Sequence, residues 1–102
     1  MVVLLWDASA LAKRYAPEVG SDTVDVLFDV VQPSRMVSSS VDSALLTLFQ
    51  SYIETFAPDS GMTFLLVASD EHLVRTAQAE GIRAINPETL PAAGVPDFLA
   101  FL

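Results

Sequence analysis

The sequence predicts an α/β domain with a mainly parallel sheet. Two continuous apolar runs of strand length, VVLLW (residues 2–6) and TFLLVA (residues 63–68), are typical of strands that are buried on both faces. Segments with apolar residues at helical spacing lie between and after these runs, and strands that alternate with helices favour parallel pairing. We therefore expect one sheet with helices packed against it.

The first half of the chain is predicted to contain a strand, two helices, a weak strand and a further helix. These elements cover residues 2–6, 10–15, 22–31, 35–39 and 41–56. Pro17 and Gly20 end the first helix, and Ser21 is expected to cap the second.

The second half begins at the apolar strand 63–68, which follows a turn. Ser69 or Asp70 is expected to cap the next helix, and Gly81 ends it. A short final strand over residues 82–86 comes next. The tail from residue 88 to 102 closes with the apolar stretch DFLAFL, which can either dock as a helix or stay exposed as an interaction segment.

Composition limits the class of protein. The length of 102 residues and the hydrophobic content of 52% are sufficient for one compact domain, which we assign to residues 1–102. A net charge of −8 argues against a broad basic surface for nucleic acid, but not against a nucleic-acid enzyme that uses bound cations. The chain has no cysteine and one histidine, His72, which excludes a disulfide framework and the usual zinc sites.

Targeting and membrane signals are not visible in the sequence. No basic segment precedes the apolar residues 2–6, and the longest apolar runs are far shorter than a membrane span. We therefore expect a cytoplasmic protein without a membrane partner.

Three carboxylates are predicted at the carboxyl edge of the sheet. Asp7 and Asp70 come directly after the two apolar strands, and Asp42 follows the weak strand within the first turn of its helix. Each acid taken alone can be explained as a helix cap. Taken together they would repel one another unless a divalent cation neutralised them. Oxygen ligands without Cys or His favour Mg²⁺ or Mn²⁺, the metals of many phosphoryl-transfer sites.

Two segments of the chain resemble the PIN-domain family, in particular the VapC-like toxins of bacterial toxin–antitoxin pairs. The opening LLWDASALAKRYAPEVGS is similar to the family's first strand, its Asp, a small residue, a Ser or Thr, and a helix. The later TFLLVASDEHLVRTAQAEGIRAINPE resembles the family's last segment, with its strand, Ser/Thr near Asp, Ala-rich helix, EGI and NP. The resemblance implies a three-layer α/β/α domain, reduced in size because the middle is short.

The resemblance also assigns roles to individual residues. Asp7 matches the first metal-binding acid and Asp70 the last, with Ser9 or Ser69 as the accompanying hydroxyl. On one alignment SVDSALLTLFQSYIE resembles a late helix of the family, and Asp42 is then the third acid. On the other alignment RMVSSSV is the second strand, and Asp42 stands near a family Glu. On either alignment, one family acid has no counterpart in this chain.

The implied activity is that of a magnesium- or manganese-dependent endoribonuclease, a hydrolase that cleaves single-stranded RNA. Its metal-binding and catalytic residues would be Asp7, Asp42 and Asp70, and its supporting residues Ser9 and Ser69. The expected partners are an RNA substrate, an antitoxin protein and a second copy of the chain in a homodimer. Because one acid is missing, the ribonuclease activity can be weak or lost. The alternative is a non-catalytic PIN remnant that acts in dimerisation or in binding an antitoxin-like peptide.

A phosphoaspartate protein is a further alternative, since its key Asp also follows the first strand. A phosphatase of that kind would need a second Asp where this chain has Ser9.

Among the basic residues, Lys13, Arg14 and Arg75 could contact phosphates, although a solvated position on a helix surface is their commoner role.

Overall fold

The computed structural model describes residues 2–31, 36–39, 51 and 63–101. Within these residues the structure gives bounds for four strands and four α-helices. Their bounds are β1 Val2–Asp7, α1 Ala8–Leu11, α2 Ser21–Val30, β2 Met36–Ser39, β3 Thr63–Val67, α3 Glu71–Ala79, β4 Ala84–Ile85 and α4 Val95–Ala100. Short 3₁₀ helices cover Ala12–Arg14 and Ala92–Gly94. Of the helix predicted over 41–56, only residue 51 is described, and it is helical.

The four strands form one parallel sheet in the order β2-β1-β3-β4. The two apolar runs of the sequence are its central pair, β1 and β3. The predicted α/β class and parallel sheet are therefore confirmed. The last predicted strand is shorter than expected, because only Ala84 and Ile85 pair with β3.

Alternate residues of the central strands belong to two separate cores on opposite faces of the sheet. Leu4 and Leu65 are register partners, and both pack in a core that includes residues of α1, α2 and α4. Leu5 and Leu66, the next pair, pack in a second core together with α3. Helices thus cover both faces, and the buried residues 4–6 and 64–67 of the central strands are apolar on both sides.

The first two helices begin at different residues from those predicted. Asp7 caps α1, so this helix begins at Ala8, directly after the strand. Gly20 rather than Ser21 is the N-cap of α2. The Ser21 hydroxyl instead accepts a hydrogen bond from the Glu18 N–H at 2.9 Å and donates one to the Ala16 carbonyl at 3.2 Å, which closes the turn before the helix.

Gly20 lies at a close approach between two backbone segments. Its φ is +92°, in the left-handed region, and a Cβ at this position would lie 2.9 Å from the Pro87 carbonyl carbon and oxygen. Gly81 also has a positive φ, +80°, but a Cβ there would meet nothing within 4 Å. The two glycines therefore separate the cost of the backbone conformation from the cost of the close approach.

We expect Gly20→Ala to lower the free energy of unfolding by about 2–4 kcal/mol, since a left-handed alanine and an overpacked contact both contribute. Gly81→Ala, which lacks the contact, should cost about 1 kcal/mol. Urea unfolding of both variants measures the difference. Equal losses in the two variants would contradict the close approach of Gly20 to Pro87.

The tail both docks and exposes apolar surface. Val95, the first residue of α4, is completely buried against the core that contains α2, whereas Phe101 is 89% exposed. No helix within the described ranges is long and apolar enough to cross a lipid bilayer.

Candidate active site

The carboxyl ends of the strands bring polar residues to one edge of the sheet. Asp7 is the last residue of β1, Ser69 and Asp70 follow β3, and Asn86 follows β4. We call this group, together with Ser9 of α1, the carboxyl edge. In parallel α/β sheets this edge is where ligands bind.

Asp7 is a buried carboxylate held by hydrogen bonds from the start of α1. It is 8% exposed, and its Oδ2 accepts hydrogen bonds from the Ser9 backbone N–H at 3.3 Å and from the Ser9 hydroxyl. This is the N-cap arrangement, in which a side-chain oxygen satisfies the free N–H groups of the first turn. The Asp-x-Ser spacing of the sequence therefore caps α1 and also holds the Asp7 carboxylate at the carboxyl edge.

Ser9 also connects the ends of the two central strands. Its Oγ donates to Asp7 and accepts a hydrogen bond from the Ser69 backbone N–H at 3.2 Å. The resulting relay runs from Ser69 through Ser9 to Asp7. Two residues that lie far apart in the sequence, and that the resemblance assigns to one site, are thereby joined by a single hydroxyl group.

Asp70 is exposed and caps α3. Its Oδ1 accepts hydrogen bonds from the backbone N–H groups of His72 at 3.0 Å and Leu73 at 3.3 Å. The neighbouring Ser69 hydroxyl oxygen is buried, and it has no hydrogen-bond partner among the residues described. The carboxyl edge thus contains a buried oxygen that no described residue bonds.

We expect Asp70→Ala to lower the free energy of unfolding by about 1 kcal/mol, because the cap of α3 is lost. Asp70→Asn should leave stability nearly unchanged, since Asn caps about as well as Asp. Thermal unfolding of the two variants in metal-free buffer measures this. A loss as large in Asn as in Ala would show that the charge rather than the cap stabilises this end of α3.

Asn86 belongs to the edge, although it was not predicted as a site residue. It is 6% exposed, and its side-chain nitrogen donates to the Ser69 carbonyl at 3.4 Å and to Glu71 Oε2 at 3.1 Å. Its position directly after the last strand was the available signal, since Asp7 and the Ser69–Asp70 pair also follow strands.

The three basic residues considered as phosphate contacts, Lys13, Arg14 and Arg75, all make contacts within the fold. Lys13 is only 5% exposed, and its ammonium group lies 2.8 Å from Glu18 and 3.6 Å from Glu88, so the expectation of a solvated surface position is wrong. Arg14 donates to Asp25 at 2.7 Å.

Arg14 makes a second contact, and Arg75 makes one of its own. The Arg14 guanidinium stacks 4.7 Å above the Phe28 ring. Arg75 is 76% exposed and pairs with Glu71 one helical turn away at 3.4 Å.

The predicted metal ligands are described only in part. Asp42 lies outside the described residues. Within the ranges described, no three Asp, Glu or His side chains are close enough together to hold a metal ion. The donors that are described fit a hard cation in their chemistry, because Asp7 and Asp70 offer carboxylate oxygens and Ser69 a buried hydroxyl oxygen. Mg²⁺ needs only one or two carboxylates when water and substrate phosphate complete its shell.

Comparison of the chain with family models, curated proteins and solved structures gave no match.

Proposed function

We propose that this protein is a Mg²⁺- or Mn²⁺-dependent endoribonuclease of the PIN-domain, VapC-like class, acting on single-stranded RNA. The observation that carries the proposal is the relay from Ser69 through Ser9 to Asp7. It joins the ends of the two strands that carry the acids of the resembled family. Both segments of that resemblance meet at the edge where parallel sheets bind ligands.

Asp7 and Asp70 are the proposed metal ligands, with Asp42 as the third acid. Ser9 holds the Asp7 carboxylate in place through two hydrogen bonds, so that the acid is fixed before any ligand arrives. When bound, the metal supplies an activated water and stabilises the charge that develops on the phosphate. The Ser69 hydroxyl, which is buried at the same edge just after β3, is the proposed supporting group beside Asp70.

An acidic chain requires other means than a basic surface to hold RNA. The net charge is −8, and Lys13 and Arg14 are already paired with carboxylates. Cations at the carboxyl edge would reduce the repulsion of the phosphates at that point. A homodimer, an antitoxin partner and a cytoplasmic location complete the proposal, with exposed apolar side chains such as Tyr15 and Phe101 as contact surface.

A cleavage assay on single-stranded RNA tests the proposal. We expect cleavage that needs Mg²⁺ or Mn²⁺, stops on addition of EDTA and returns when the metal is restored in excess. If the folded protein cleaves RNA neither with Mg²⁺ nor with Mn²⁺, the assignment as a ribonuclease is contradicted. The alternative of a non-catalytic PIN remnant predicts that result, together with binding of a partner peptide or a second copy.

A further inference from the structure

A second set of contacts reaches the same edge from the side opposite Ser9. Asn86 accepts a hydrogen bond on Oδ1 from the Glu88 backbone N–H at 2.9 Å, while its Nδ2 donates to Ser69 and Glu71. Every polar atom of this buried side chain therefore has a partner. Such a fully bonded side chain holds a fixed orientation, since any rotation would break several buried hydrogen bonds.

Ser69 is the residue at which the two sets of contacts meet. Its backbone N–H donates to Ser9 Oγ at 3.2 Å, and its carbonyl accepts from Asn86 Nδ2 at 3.4 Å. Both backbone polar groups of Ser69 are thus held by side chains that follow the neighbouring strands β1 and β4. Asp70 follows Ser69 directly, so the orientation of the Ser69 backbone determines the position of the Asp70 side chain.

The contacts continue from Asn86 back to the first helix. Glu88, whose N–H is held by Asn86, places its carboxylate 3.6 Å from the Lys13 ammonium group. Lys13 lies in the 3₁₀ turn that follows α1, the helix capped by Asp7. These contacts connect the ends of β1, β3 and β4. Asn86 contributes three of the hydrogen bonds, to Ser69, Glu71 and Glu88.

We propose that Asn86 is a positioning residue of the carboxyl edge, which fixes the Ser69 backbone and so sets the Asp70 carboxylate relative to Asp7. This inference rests on the proposed metal-dependent function. Asn86 acts through Ser69 and Glu71 and is assigned no contact with the metal or the RNA. Outer residues that orient ligands in this way commonly change metal affinity about 10- to 100-fold when they are replaced.

The experiment compares Asn86→Ala with Thr23→Val. Thr23 is 2% exposed, and its hydroxyl donates to the Leu90 carbonyl, so Thr23→Val also removes a buried hydrogen bond but does not touch Ser69. Two quantities are measured: hydrogen exchange of the Ser69 amide in metal-free buffer, by NMR, and the Mn²⁺ dissociation constant, by calorimetry.

In Asn86→Ala we expect the Ser69 amide to exchange at least about tenfold faster, since local opening becomes easier. The Mn²⁺ dissociation constant should rise by about tenfold or more. Thr23→Val should lower the melting temperature but change both quantities by less than about twofold, because the bond that it removes leaves the contacts of Asn86 with Ser69 and Glu71 in place. Unchanged Ser69 exchange in Asn86→Ala, or equal effects in both variants, would overturn the proposal.

A second variant covers the case in which Asn86→Ala does not fold. Asn86→Asp keeps the acceptor for Glu88 N–H but places an oxygen against the Ser69 carbonyl and Glu71, so Ser69 exchange should still accelerate. If the wild-type protein binds no Mn²⁺, the proposed function fails, whereas Ser69 exchange still decides the positioning role of Asn86.

Discussion

Asp7→Asn is expected to lower metal-dependent RNA cleavage at least about 100-fold while the fold is retained. Outer residues of metal sites already contribute about 10- to 100-fold, and a carboxylate that binds the metal directly should contribute no less. The fold should persist because Asn is as good an N-cap as Asp, and its side-chain oxygen can accept the Ser9 N–H bond. Initial cleavage rates on single-stranded RNA, measured at saturating Mn²⁺, report the effect.

Asp97→Asn is the matched control for that variant. Asp97 is an exposed acid in the first turn of α4, so its replacement changes the net charge by the same amount away from the carboxyl edge. Its cleavage rate should equal that of the wild-type protein. Equal cleavage by Asp7→Asn and the wild type would remove Asp7 from the catalytic site and would point to a contaminating nuclease.

Leu65→Ala and Leu66→Ala are each expected to lower the free energy of unfolding by about 2–5 kcal/mol. Both side chains are completely buried, Leu65 in the core with α2 and Leu66 in the core with α3. Truncation leaves a cavity in either core, because close-packed surroundings relax only partly. A domain of this size has a total stability of about 5–15 kcal/mol, so either change removes a large share of it.

The pair tests the layered architecture, because the two residues are neighbours on one strand and differ only in the face they occupy. Val30→Ala provides the control, since Val30 is 50% exposed and its truncation should cost less than about 0.5 kcal/mol. Urea unfolding of the three variants gives the comparison. If Leu65→Ala or Leu66→Ala lowered the free energy of unfolding by no more than Val30→Ala does, the corresponding face of the sheet would not be packed by helices.

The fold class was predictable because burial on both faces gives each central strand a continuous apolar run, with polar residues only at the strand ends, Asp7 and Thr63. Residues 2–6 and 63–68 could therefore be assigned as strands without knowledge of their partners, each within one residue of the observed bounds. The start of α2 was less predictable, because Ser21 and Gly20 are both acceptable caps. The choice depends on the turn that Ser21 closes with Ala16 and Glu18, and on the approach of Gly20 to Pro87.

The positions of residues at the carboxyl edge were predictable where they depend on strand ends and not where they depend on contacts across the chain. Asp7 and Asp70 follow strands, and parallel pairing is sufficient to bring them to one edge. Lys13 pairs with the nearby Glu18 and also with Glu88, which lies beyond the last strand, and no local pattern indicates the second pairing. The bonds of Asn86 to Ser69 and Glu71 are equally remote in sequence.

Calorimetric titration with Mn²⁺ tests the central claim, that the carboxyl edge is a divalent metal site, most directly. The wild-type protein and Asp97→Asn should show the same saturable heat of binding. Asp7→Asn and Asp70→Asn should each bind at least about tenfold more weakly. No heat of binding in the wild-type protein, together with no rise in its melting temperature when Mn²⁺ is added, would contradict the claim.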